Sequence, residues 1–123
     1  MSEYARPIGF VLLLTSLVSL AACDYYADRM SVGQQQLRQG KYPQAQEAFA
    51  EASTAADNGE QLYHSLKALA DTFEARGDAE TAEALRKHAV MVMGHCLEDK
   101  MNGLRPCPVR DGDQAVSLQG DTG

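Results

Sequence analysis

The chain has 123 residues, with 11 Lys and Arg against 17 Asp and Glu and a net charge of −6. That length supports one small domain. The acidic balance opposes contact with nucleic-acid phosphates and offers no attraction to anionic lipid.

In chain order, the first element is an apolar run. A short stretch carrying Glu3 and Arg6 leads into Ile8–Leu20, IGFVLLLTSLVSL. A membrane-crossing helix needs about 18–20 apolar residues. This run is shorter and suits the apolar region of a secretory signal, with small residues at Ala21 and Ala22 behind it. Leu20-Ala21-Ala22-Cys23 resembles the lipobox of bacterial lipoproteins. The resemblance implies that residues 1–22 are removed as a signal peptide, that the Cys23 thiol is lipidated, and that the new amino terminus is acylated. One acyl chain holds a membrane only marginally, whereas two or more hold it stably. Asp24 resembles the inner-membrane retention signal of that family. The expected location is a lipid anchor at the cell envelope, facing the periplasm and favouring the inner membrane. Removal of residues 1–22 leaves the charge at −6, because Glu3 and Arg6 cancel.

From Asp28 to Met93 the chain is rich in Ala, Gln, Glu and Leu, which favour helix. Four helices are predicted. The first spans about Tyr25 to Gln39, with Tyr26, Met30, Gly33 and Leu37 on one face and Gly40 as its terminator. The second starts at Pro43, a good first-turn residue, and runs to about Ala56 with Ala45, Phe49, Ala52 and Ala56 inward. Asn58 caps the third, with Gln61 completing a capping box. Its apolar stripe is Leu62, Leu66, Leu69, Ala70 and Phe73. Asp78 caps the fourth, which is expected to end near Met93 and Gly94 with Ala82, Leu85, Ala89, Val92 and Met93 inward. No stretch alternates long enough to predict a strand.

Gly40, Ala45 and Ala52 recur as Gly77, Ala82 and Ala89, offset by 37 residues. The pattern resembles the tetratricopeptide repeat, a 34-residue helix–turn–helix with small residues where its helices touch. Gly33, Gly40, Ala45, Phe49 and Ala52 carry the first copy; Leu69, Ala70, Phe73, Gly77, Ala82 and Ala89 carry the second. The sequence departs from the family at its early aromatic, which is Arg29 and then Leu66, at Arg86 in place of an aromatic, and in its longer spacing. The resemblance implies an all-α domain over residues 23–94, two antiparallel helix pairs stacked as a short solenoid. Two repeats bury little core, so a terminal cap, a second copy or a partner chain is expected to complete them.

Beyond Gly94, glycine, proline and charge dominate. With Cys23 lipidated, Cys96 and Cys107 remain, and export makes a disulfide their simplest fate. Residues 95–109 are expected to form a disulfide-pinned turn or short helix, and residues 110–123 a disordered tail.

No phosphate-binding loop, HExxH or nucleophile motif is present, so no enzyme and no cofactor is expected. The expected function is docking, as an interaction or assembly module for an envelope complex such as a secretion, pilus or envelope-biogenesis machine. Gln34, Gln35, Arg38, Lys41, Tyr63 and Lys67 are the candidate contact residues, and Tyr25 and Tyr26 are placed at the membrane interface. The alternative is a periplasmic metal-binding or redox-sensing lipoprotein. His88, Met91, Met93, His95, Cys96 and Met101, with Cys107, are its candidate ligands, because copper(I) favours soft thiolate and thioether donors.

Overall fold

Three glycines set where the helices stop. Gly40, Gly77 and Gly103 each adopt a positive φ (74°, 95° and 86°) directly after a helix, a conformation that costs glycine no Cβ clash. Each sits in the same terminating bond pattern. The N–H three positions beyond the last helical residue returns to a carbonyl five residues back: Lys41 to Gln36, Asp78 to Phe73, Leu104 to Asp99, at 2.8–2.9 Å.

The structure is a computed structural model that describes residues 25–114. The signal segment, Cys23, Asp24 and the tail beyond Gln114 lie outside the described residues. Those described form four α-helices and no strand: α1 (Tyr25–Arg38), α2 (Tyr42–Thr54), α3 (Gly59–Ala75) and α4 (Ala79–Met101). The all-α expectation therefore holds. α3 ends 37 residues after α1, and α4 begins 37 residues after α2.

The helix starts follow local chemistry. Proline opens α2, where its missing N–H costs nothing. The Asn58 side chain accepts the Gln61 N–H at 2.9 Å, and the Asp78 side chain accepts the Thr81 N–H at 3.1 Å. The reciprocal half of the Asn58 box is displaced by one residue: Gln61 Oε1 accepts from the Asp57 N–H at 2.8 Å.

Each helix packs on its predecessor, α1 on α2, α2 on α3 and α3 on α4. α1 touches α3 lightly and does not reach α4, so the helices form an open array rather than a closed ring. The core runs along this array. Phe49, Leu62, Leu66, Leu69 and Val92 are its largest fully buried apolar residues, and Ala45, Ala52, Ala82 and Ala89 allow close approach between helices. Tyr26, Met30 and Leu37 of α1 pack against it from one side. Gly33 serves a close approach. A Cβ there would lie 2.5 Å from the Phe49 ring, so Phe49 occupies space that only glycine leaves free.

The fourth helix corrects the expected boundary. α4 passes through Gly94 and continues to Met101. An internal glycine costs about 1 kcal/mol relative to alanine. Burial of Val92 and Cys96 on the inner face of α4, with the ion pair of Asp99 to Arg110, offsets that cost. Cys96 thus belongs to the helix. Met93, placed inward by its spacing, is only half-buried.

Among the described residues, no helix is long and apolar enough to cross a membrane.

Candidate functional site

The best-defined constellation lies where α3 begins and the chain returns from α4. Cys96 of α4 and Cys107 of the following segment form a disulfide, with both residues almost wholly buried. The bond seats on Gly59, the first residue of α3. A Cβ at Gly59 would meet the Cys107 sulfur at 2.9 Å and the Cys96 Cβ at 3.2 Å. The Cys107 carbonyl accepts the Gly59 N–H at 3.0 Å, satisfying a donor that a helix start leaves unpaired. Lys100 pairs with Glu60 beside it, and that ammonium holds the Glu60 carboxyl below its ordinary range.

From Cys107 the chain runs back along α4. Val109 packs on the core. The Arg110 guanidinium meets Asp99 at 2.8 Å and holds that buried carboxyl below its usual range. Asp113 is buried, with its backbone carbonyl 2.6 Å from His88 Nε2 and its carboxylate 3.3 Å from His95 Nδ1. Gln114 then donates to the carbonyls of Ser53 and Thr54 at the end of α2. Residues 110–114 are therefore held against two helices. The disordered tail expected from Arg110 does not begin there, because ion pairs and hydrogen bonds fasten this stretch.

The Asp99 pairing predicts a pH signature. A carboxyl whose folded pKa is depressed stabilises fully above its unfolded value, near 3.9. That contribution disappears as pH falls through the lower folded value. Asp99→Asn is therefore expected to be less stable than the parent at pH 7, with the gap closing below about pH 4. Melting curves between pH 2 and 7 check it; a gap constant across that range would exclude the Asp99–Arg110 pair as its source.

The expected contact residues fall in two groups. Gln34, Gln35 and Arg38 are exposed on α1, and Lys41 is exposed in the turn after it. Tyr63 and Lys67 lie on α3, the Lys67 ammonium 5.3 Å from the Tyr63 ring centroid and the His64 ring edge-on at 5.3 Å. Among the described residues, no hydrogen bond or ion pair joins the two groups. Of the tyrosines placed at the membrane interface, Tyr26 is not free. Its hydroxyl donates to the Gln61 carbonyl at 2.8 Å, and burial raises its pKa. Tyr25 stays half-exposed beside Glu51 and rims a shallow depression with Ala50 and Thr54 of α2 and Ala55 just beyond it.

The soft-metal candidates do not converge. His88 and His95 turn to Asp113, Cys96 is bonded to Cys107, and Met91 and Met101 are exposed. Glu60 lies close to both sulfurs, yet its carboxylate is engaged by Lys100 and a disulfide offers no thiolate.

Comparisons with protein-family models, with curated proteins and with solved structures return no match. Sequence reasoning missed the outward face of α4 (Val90, Leu97 and Met101). The signal was their spacing, which is helical and continues the helix beyond Gly94.

Proposed function

We propose that this chain is a lipid-anchored periplasmic adaptor, held at the inner membrane through Cys23, whose two helix pairs dock a protein of an envelope complex in the manner of tetratricopeptide repeats. The observation that carries the repeat reading is the 37-residue offset between the two turns, shared by the ends of α1 and α3, the starts of α2 and α4, and the terminating glycines Gly40 and Gly77. The order of packing supports it too, because a stack of helix pairs joins each helix to the one before and leaves the outermost pair apart. The disulfide-clasped segment supplies the cap that two repeats need. The anchor reading rests on Leu20-Ala21-Ala22-Cys23. The docking surface is Gln34 and Arg38 of α1, Lys41 in the turn after it, and Lys67 with the half-buried Tyr63 of α3.

Two measurements test this. Cys23→Ala is expected to abolish palmitate labelling and to move the protein from the membrane to the soluble fraction on cell fractionation. Retention of both would remove the anchor. Affinity purification of the tagged, detergent-extracted protein from its own cells is expected to recover a defined envelope complex. Tyr63→Ala with Lys67→Glu should reduce that recovery about tenfold or more, as loss of interface hot spots does. Recovery of the same complex regardless of these substitutions would move the docking surface elsewhere, and recovery of the protein without any would sink the adaptor reading.

A further inference from the structure

α4 is apolar on two opposite sides. Its inner side carries Ala82, Leu85, Ala89, Val92 and Cys96, all buried. Its outer side carries Val90, Leu97 and Met101, which are 67%, 55% and 86% exposed. Gly94 falls between them, and the spacing of four, three and four residues places all four on one stripe. A Cβ at Gly94 would meet nothing within 4 Å, so the helix backbone is open to close approach there.

The 37-residue correspondence shows where this stripe points. Ser53 of α2 hydrogen-bonds Ser65 of α3 at 2.9 Å, across the packing of one helix on the next. Its counterpart in α4 is Val90. The Val90 end of the stripe therefore stands where a following helix would pack, and among the described residues none does.

We propose that this stripe is a two-fold interface between two copies of this chain, with α4 of each packed antiparallel against α4 of the other beside Gly94. Charge placement selects a second copy as the occupant. Lys87 and Glu98 flank the stripe on the same side, toward opposite ends, and both side chains are mostly exposed. A two-fold axis crossing α4 beside Gly94 brings Lys87 of each copy to Glu98 of the other, and Val90 to Leu97. The surface is thus self-complementary, as an isologous contact requires. Their present partners, Glu83 one turn away and Arg110 at 3.7 Å, are surface pairs of little energetic weight. The apolar area is small. Val90, Leu97 and Met101 are three exposed side chains per copy, so the contact they form falls below the roughly 1,200–2,000 Å² of a standard specific interface, in the range of weak association. The dimer is accordingly weak in free solution. Tethering to one membrane, which rests on the anchor proposed above, raises its population through effective concentration.

Sedimentation velocity on the full chain in non-ionic detergent tests the interface directly. The expected result is a reversible monomer–dimer equilibrium. Leu97→Glu should weaken it by about 30-fold or more, the scale of a central hot spot. Lys87→Glu and Glu98→Lys should each weaken it by roughly fivefold, the scale of an exposed ion pair, and the double reversal should restore it. All three side chains are exposed, so an unchanged melting temperature confirms that folding is intact. A chain that stays monomeric at every concentration, a dimer indifferent to Leu97→Glu, or charge reversals that add instead of cancel would each overturn the proposal. So would a photocrosslinker at position 97 that captures another polypeptide or lipid in cells in place of a second copy.

Discussion

Alanine at both Cys96 and Cys107 is expected to lower the melting temperature by roughly 8–40 °C, taking about 2–5 kcal/mol for such a bond and 4–8 °C per kcal/mol in a domain this size. Loop closure alone accounts for roughly 3 kcal/mol in the chain-entropy model, given the short loop between the two cysteines. The remainder comes from what the bond holds in place. Its sulfurs pack on Gly59, and the Cys107 carbonyl satisfies the first N–H of α3. Freed from that seat, the following segment loses its register on α4, and with it the Arg110–Asp99 pair and the Asp113 contacts to His88 and His95. Reductant added to the parent protein should reproduce the shift. A change within about 3 °C would mean less than 1 kcal/mol and would exclude a structural role for the clasp.

The second large effect concerns the contact between α1 and α2. Phe49→Ala should cost about 3–5 kcal/mol, the range for deleting a buried aromatic ring. Phe49 has no exposed surface and lies against the bare backbone at Gly33. Gly33→Ala approaches the same contact from the other side. Its new methyl overpacks the ring at a cost of about 1–3 kcal/mol, against which better helix propensity returns about 1 kcal/mol. With Phe49→Leu, which withdraws the ring, Gly33→Ala should cost less than in the parent. Urea unfolding of the four members of this cycle measures the coupling, expected at about 0.5–3 kcal/mol for residues in contact. Additive effects within about 0.3 kcal/mol would mean that Gly33 and Phe49 act independently.

The second helix pair solves the same packing problem differently. Gly33 corresponds to Ala70 and Phe49 to Arg86, by the 37-residue offset. Arg86 cannot enter a core, and it turns outward to Glu74 at 2.7 Å and Asp71 at 3.0 Å. Arg86 departs from the repeat pattern in sequence, and in the structure its charge is met at the surface. Phe73, Leu85 and Val92 supply the buried bulk of the second pair.

The alternative that placed a soft-metal site among His88, Met91, Met93, His95, Cys96 and Met101 treated neighbours in sequence as neighbours in space. On a helix, residues three or four apart share a face, and those one or two apart do not. His88 and His95, seven apart, reach Asp113 together. Met91 and Met101 are exposed instead, with Met101 on the outer stripe.

What the sequence determined alone was everything governed by neighbours a few residues away. Asn58 and Asp78 cap helices and Gly40 and Gly77 close two, each through bonds spanning three to five residues, and Pro43 opens one because it has no N–H to leave unpaired. The inward faces of α1, α2 and α3 were legible too, since their apolar spacing matches the helical period over uninterrupted runs. Tertiary structure decided what depends on partners far along the chain. Gly94 reads locally as a stop, yet α4 continues, because the burial of Val92 and Cys96 and the Asp99–Arg110 pair outweigh one glycine's propensity. Likewise Gly33 and Gly59 look like ordinary glycines until Phe49 and the disulfide are set against them. A close approach has no local signature, because the atom that forbids a Cβ belongs to another helix.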